Sequence, residues 1–464
     1  MQSTKRNIQH LFLRAGFGDL PQAIEKYSGK SVVEIVEAIF SVLQNYSGLD
    51  FIKNPIAGRE DKEVSSFRIL RMILKSRRET EDLNIVWMNK MAQDESQLRE
   101  KMTFFWHNHF STSTPFAYLM QIQNNTIRKF ALGKFSDLLH AIAKDPAMII
   151  YLNNQQNHKK APNENFAREV MELFTLGEGH YTEQDIKEAA RAFTGWTVNR
   201  KGQFEFKEND HDFGEKEFMG QKGNFNGEEI LNIIINNKQT AIYVVTKIYR
   251  EFVNPVINNE RVKLLAESFF NSGYDISLLM KKIFSSDWFY DDENIGCKIS
   301  SPVELIVRYK KLIRMEFEND RALLNLQKAL GQVLFFPPNV AGWKGGQNWI
   351  DSSTLLLRLN IANALLNEGR ITIRPKPEFE DKPEETEQED NEHMLSSDWS
   401  ILFSHFKNSG DEKIFDELSE YLIQSSKDKI DKNKMLGFAN DADEEKKMIK
   451  LASAIMATPE FQLI

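Results

Sequence analysis

The sequence predicts a mainly α protein: one large multi-helix domain with a small β-excursion near residues 197–225. Three observations predict it. Apolar residues recur at helical spacing through most of the chain. Capping signatures stand where several of those stretches begin. Strand-like alternation is confined to Gln203-Phe204-Glu205-Phe206, in a stretch where glycines recur.

Taken in order, Ser31-Val32-Val33-Glu34 has the form of a capping box, followed by Ile35, Ala38 and Ile39 on one face. Leu83, Val86, Trp87, Met91, Leu98, Met102 and Phe105 predict a long amphipathic helix over about 80–107, or two joined near Asp94. Leu138, Leu139, Ile142 and Ala143 mark another, stopped by Pro146. Asn163 can cap a helix running to Leu176, and Gly177 suits its C′ position. Thr182 caps the next, with Asp185 at N3 and Tyr181 and Ile186 as a hydrophobic staple. Together they read as a tight helical hairpin ending at Gly195.

Helices resume around 228–237, 239–252 and 259–271. Ser301-Pro302-Val303-Glu304 places a cap, a first-turn proline and a third-position glutamate in register. Residues 335–353 are aromatic and glycine-rich, which reads as a structured loop. The domain reading is a helical core over 1–374, an acidic disordered linker or insertion over 375–395, and a C-terminal helical segment over 396–464 packing on the core. Residues 283–289 and 455–461 echo each other: each ends a helix in a small-polar-acidic-aromatic turn.

The chain has 464 residues, 41% of them hydrophobic, enough for sizeable packed interiors. A net charge of −8 argues against nucleic acid as the main partner. Cys297 is the only cysteine, so no intramolecular disulfide and no cysteine-based metal site can form. No run of 18 apolar residues exists, and none therefore reads as a membrane span. Residues 1–18 lack the apolar core and cleavage site of a signal peptide, so the expected location is the cytoplasm.

Two clusters concentrate chemistry-bearing side chains. The first is Phe104-Phe105-Trp106-His107-Asn108-His109-Phe110. On a helix His107 and His109 point about 200° apart and cannot share a metal; in an extended segment they share a face. The polar run Ser111–Pro115 suggests that the helix ends near Trp106 and leaves the pair extended. The plainer reading makes His and Asn108 a helix C-cap, with Trp106 and Phe110 in the core. The second cluster runs from Pro162-Asn163-Glu164-Asn165 through Arg168, Glu169 and Glu172 to Trp196. Glu169 and Glu172 lie on one helical face, able to hold a cation or to work as acid and base. Their alternative is simple pairing with Arg168 and Arg191.

His211 beside Asp212 offers a base or a ligand. The amide run Asn153–His158 and the loop indole Trp343 suit a stacked, hydrogen-bonded ligand, although solvated-loop and core roles are the commoner fates. No Walker A, dinucleotide fingerprint, nucleophile elbow or zincin motif is present.

With these motifs in hand, the chain resembles the bacterial family catalogued as domain-of-unknown-function family 1800. The resemblance is carried by Trp106-His107-Asn108-His109-Phe110, Pro162-Asn163-Glu164-Asn165-Phe166-Ala167-Arg168-Glu169-Val170-Met171-Glu172-Leu173, Ala190-Arg191-Ala192-Phe193-Thr194-Gly195-Trp196, His211-Asp212-Phe213-Gly214 and Pro337-Pro338-Asn339-Val340-Ala341-Gly342-Trp343. It extends from His10–Gly18 to Thr458–Phe461. It brings no settled activity, but it implies a sulfatase-like protein, encoded nearby, as a partner.

Two classes of function stay open on the sequence. One is a metal-dependent enzyme, hydrolytic or oxidative, with His107, His109 and Glu169 as ligands to a divalent metal and Glu172 or His211 handling protons. The other is a non-catalytic accessory protein that binds a partner, a glycan or a peptide through Asn108, Asn163, Glu164, Asn165, Arg168, Trp196 and Trp343. In either case the two clusters are expected to meet in space.

Overall fold

Local cap chemistry sets where many of the helices start. In the computed structural model, which describes residues 2–58, 64–366, 369–374, 392–410 and 413–464, capping boxes form at Ser31/Glu34, Thr182/Asp185 and Ser301/Glu304. The described residues form twenty-one α-helices and only short antiparallel strands. None of these helices is long and apolar enough to cross a membrane.

The helix Ser66–Gln93 is the structural axis. Leu83, Trp87, Met88 and Met91 are fully buried, and the helix packs against Gln97–His109, Ala117–Phe130 and Pro302–Ile313. The expected break near Asp94 is there: Asp94 caps the first helix and accepts from Ser96 N at 2.8 Å. Lys238–Phe252 lies along Asn259–Asn271 and also against the segment Val170–Thr175.

Charges inside the core are paired. Glu100 accepts from Arg128 Nε at 2.6 Å, from its Nη2 at 3.0 Å and from Trp87 Nε1 at 2.9 Å. Glu304 does double duty, capping at Ser301 N (2.8 Å) while binding Lys101 and, at 3.0 Å, Lys298. Those two ammonium groups and the cap hold its carboxyl well below the ordinary range despite burial.

The C-terminal residues are bound to this core. Buried Arg308 donates to the carbonyls of Phe461 (2.8 Å) and Leu422 (2.5 Å). Ile464 N donates to Lys298 O at 2.8 Å. The echo noted in the sequence survives as geometry: Ile276–Phe284 and Glu444–Met456 are each followed by a short 3₁₀ turn.

The β-excursion is two hairpins, Trp196–Val198 with Phe204–Phe206 and Lys216–Phe218 with Gln221–Gly223. Four readings are corrected. The helix Gln97–His109 runs through His-Asn-His, so the pair is not extended; Phe110 ends it. Pro146 starts a helix, Pro146–Tyr151, capped by Asp145, as well as following the previous one. The helix after Asn163 begins at Asn165 and turns into a π-helix over Val170–Thr175. Residues 392–395 of the expected acidic linker lie in the strand Glu392–Ser396, paired with Glu316–Phe317 and Arg370–Thr372; residues 375–391 lie outside the described residues. Leu395, buried within that strand, supplies the apolar anchor that the acidic composition obscured.

Candidate functional site

Because the helix continues to His109, the two histidines enter different surroundings. The His107 ring stands 5.0 Å from Trp87, 5.1 Å from Phe335 and 6.0 Å from Trp343, centroid to centroid. The His109 ring packs against Phe110 (4.5 Å), Trp106 (5.3 Å) and Phe174 (6.1 Å). His107 Nε2 accepts the Phe335 N–H at 3.2 Å, which puts a neutral ring's proton on Nδ1. Phe335 has φ 68°, a conformation a bulky residue seldom adopts, so this bond helps hold a strained turn. His109 Nε2–H donates to the Phe174 carbonyl at 3.0 Å, and its Nδ1 is buried without a partner among the described residues.

Burial pushes the His107 pKa down to about 3 and the His109 pKa well below the ordinary value, so both rings are neutral at pH 7. Among the described residues no group of three His, Cys, Asp or Glu side chains stands ready to hold a metal ion.

Asn108, between them, clasps the loop. Its Oδ1 accepts from Trp343 N at 2.8 Å and its Nδ2 donates to Trp343 O at 3.3 Å. Gly342 makes this possible: at φ 75°, a β-carbon there would collide with the Asn108 side chain and carbonyl. Trp343 is buried.

The second cluster is organised by the π-helix. Thr175 Oγ1 donates to Val170 O at 2.6 Å, closing the wide turn. The carbonyls of this segment turn outward to side chains from elsewhere. Leu173 O accepts from Tyr243 OH (2.9 Å) and Lys247 Nζ (3.0 Å), while Phe174 O takes the His109 bond. The two clusters therefore meet, through a backbone carbonyl rather than a carboxylate.

Around this point lie Tyr151, Glu169, Glu172, Tyr181, Tyr243 and Lys247, all half-buried. Tyr181 OH donates to Glu172 Oε2 at 2.8 Å. Burial, then the neighbouring Glu172, raises the Glu169 carboxyl. Burial, then Glu172, pushes Tyr243 up to about 12. Burial, then Arg250, pushes the Lys247 amine down to about 8.

Arg168 does not pair with Glu172. Its guanidinium spans to Glu183 at 3.0 Å and Glu164 at 3.3 Å, because the helical hairpin brings Glu183 back beside it. Asn163 Oδ1 caps Asn165 N at 3.0 Å, and Asn165 Nδ2 donates to Leu152 O at 3.1 Å. The family model described as Protein of unknown function (DUF1800) matches residues 10–463. The chain belongs to this family. No curated protein and no solved structure matches it.

In this DUF1800 chain the remaining predicted residues have bonds of their own. His211 is buried; its Nδ1–H donates to Thr194 O at 2.8 Å and its ring packs beside Phe206 and Phe213. Asp212 belongs to Arg191, which donates from Nε at 2.8 Å and holds that carboxyl below its ordinary range. Arg191 also binds Glu188 at 2.7 Å. Trp196 is buried against Phe193 and Phe204. In the amide run, Asn157 is buried and ties Ala190 O (2.8 Å) to Asn163 N (2.9 Å), so part of that run is internal bracing.

Sequence reasoning missed Tyr151, Tyr243 and Lys247. Tyr243 and Lys247 lie at i, i+4 on Lys238–Phe252, beside its buried Val244 and Ile248. That was the one available signal, and it named no partner.

Chemically, this cluster offers two carboxylates, phenol rings and an amine with a depressed pKa. Such a set can hydrogen-bond hydroxyl or amine groups and stack flat rings against tyrosine.

Proposed function

We propose that this chain is a non-catalytic accessory protein that holds a hydroxyl- or amine-bearing ligand, a glycan or peptide, at the cluster of Glu169, Glu172, Tyr181, Tyr243 and Lys247. The observation that carries this reading is the convergence of those half-exposed groups on the π-helix, a local irregularity that often accompanies function. His107 and Asn108 meanwhile brace the Phe335–Trp343 loop. The sulfatase-like protein suggested by the family resemblance is the candidate partner that would present or receive the ligand. A bacterial cytoplasm is the proposed setting, since the unpaired Cys297 suits a reducing compartment.

Binding is tested by calorimetric titration with oligosaccharide and peptide pools, on wild type and on Glu172→Gln and Tyr181→Phe. Each variant is expected to weaken binding about tenfold, as loss of one charge-assisted bond does, with a nearly unchanged melting temperature. Equal affinity in all three proteins would remove the cluster from the account. Metal analysis separates the other class. More than roughly 0.2 equivalents of bound metal, with a higher melting temperature on adding Zn²⁺, Mn²⁺, Fe²⁺ or Ca²⁺, would restore the metal-dependent enzyme built on His107, His109 and Glu169.

A further inference from the structure

The helix Ser66–Gln93 changes character along its length. Its second half is core; its first half shows Phe67 (77% exposed), Leu70 (53%) and Leu74 (76%) to solvent. Spaced i, i+3 and i+7, these side chains form one apolar stripe, a pattern that normally faces a partner. Arg71 and Lys75 stand one residue beyond Leu70 and Leu74, exposed, with no carboxylate paired to either among the described residues.

Facing this stretch is a wall built from Ile52, Pro55, Phe116 and Tyr118, and a trough of about 530 Å³ lies between. The trough is braced before anything enters it. Arg68 Nη2 donates to Pro55 O at 2.8 Å, Gln121 bonds Ile52 N and O at 2.8 and 2.9 Å, and Ser76 Oγ accepts from Ala117 N at 2.5 Å. Among the described residues its charged lining is Lys53, Arg68, Arg71 and Lys75 against Glu79, with Lys53 paired to Asp50 at 2.7 Å, on a chain whose net charge is −8. A positive, apolar, preformed trough on an acidic protein selects its opposite in charge.

We infer that this trough docks an acidic amphipathic segment of a partner protein, its apolar side chains against Ile52, Phe67 and Phe116 and its carboxylates on Arg71 and Lys75. A concave groove receives a peptide, whereas a lipid bilayer offers a plane, so an anionic membrane fits the shape less well. The inference rests on the accessory reading above and places the partner's docking surface away from the Glu169–Lys247 cluster.

The test uses the full chain and a fluorescein-labelled peptide with leucines at i, i+3 and i+7 and glutamates between, followed by anisotropy. Saturable binding is expected, weakened at least about tenfold by Phe67→Asp and by the double change Arg71→Glu/Lys75→Glu, and falling as salt rises. Both variants alter exposed positions and are expected to keep their melting temperature and their ligand affinity at the Glu169–Lys247 cluster. No saturation up to about 1 mM, or equal binding of a matched lysine peptide, would overturn the inference. So would binding to phosphatidylglycerol vesicles in place of the peptide. If the glycan and peptide-pool titrations fail while the labelled peptide binds, the ligand reading of the Glu169–Lys247 cluster falls and the trough stands.

Discussion

At the scale of single residues, His107 has a measurable consequence. Its unfolded pKa of 6.5 drops to about 3 in the native protein. Between those values the unfolded chain binds the extra proton, so this contribution to stability is fully present above pH 6.5 and is lost as pH falls toward 3. His107→Phe should flatten the acid limb of stability by up to about one proton while costing about 1–3 kcal/mol at pH 7, because Phe335 N–H loses its acceptor. Urea midpoints from pH 7.5 to 4 measure both; an acid slope identical to wild type would refute the assignment. Glu169 runs the other way. Its native pKa is raised, so the charged form costs stability increasingly as pH climbs above 4.5. Removing a carboxyl that has a buried charge partner costs about 3–5 kcal/mol. The nearest guanidinium, Arg168, is engaged with Glu183 and Glu164. Glu169→Gln should therefore cost no more than about 0.5 kcal/mol and gain on wild type as pH rises, in the same urea series. A loss of several kcal/mol would reveal a partner after all.

At the scale of elements, the π-helix Val170–Thr175 is the decisive local feature. Its wide turn frees the carbonyls that Tyr243, Lys247 and His109 bind. Thr175 closes it through Val170 O. Thr175→Val is expected to cost about 1–2 kcal/mol by stranding that carbonyl. It should also speed amide exchange over residues 171–177, where Leu176 N and Gly177 N both donate to Met171 O. Unchanged exchange would mean that packing alone holds the turn. The neighbouring hairpin follows simpler rules, since its second helix is set by the Thr182/Asp185 box and would form at that register on most scaffolds.

At the scale of the whole molecule, the last eight residues close the structure. Arg308 is buried, with its pKa pushed down to about 10 by burial, and its guanidinium donates to the carbonyls of Phe461 and Leu422. The pairing of Ile299 with Leu463 lies beside Lys298, itself bound to Glu304. Truncation after Met456 removes half of the Arg308 contacts and uncovers Tyr309, which packs 5.6 Å from Phe461. The expected result is a loss of about 3–5 kcal/mol or failure to fold. Urea unfolding and limited proteolysis of the truncated chain would show it, and an unchanged midpoint would separate this segment from the core's stability. That the family match runs to residue 463 accords with the segment belonging to the same fold.

Several features were legible in the residues alone. Ser31/Glu34, Thr182/Asp185 and Ser301/Glu304 announced their helices because a cap is chemistry among four neighbouring residues. The hairpin at Phe204–Phe206 showed through its alternation, and the mainly helical class through its apolar spacing. The short sheet at Glu392–Ser396 did not show, because it pairs residues some 80 positions apart within an acidic stretch. The partner of Arg168 expected at i+4 lost to Glu183, which only the hairpin brings near. The π-helix could not be told from an α-helix in the sequence, because its buried Val170, Met171, Phe174 and Thr175 recur at a spacing of four that an α-helical stripe also shows. Local rules of capping and periodicity act within one or two turns, and the sequence by itself determined those. The neutral state of the histidines, the depressed Lys247 amine and the meeting of the two clusters depend on burial and on contacts across 65 to 74 residues, which only the tertiary structure could decide.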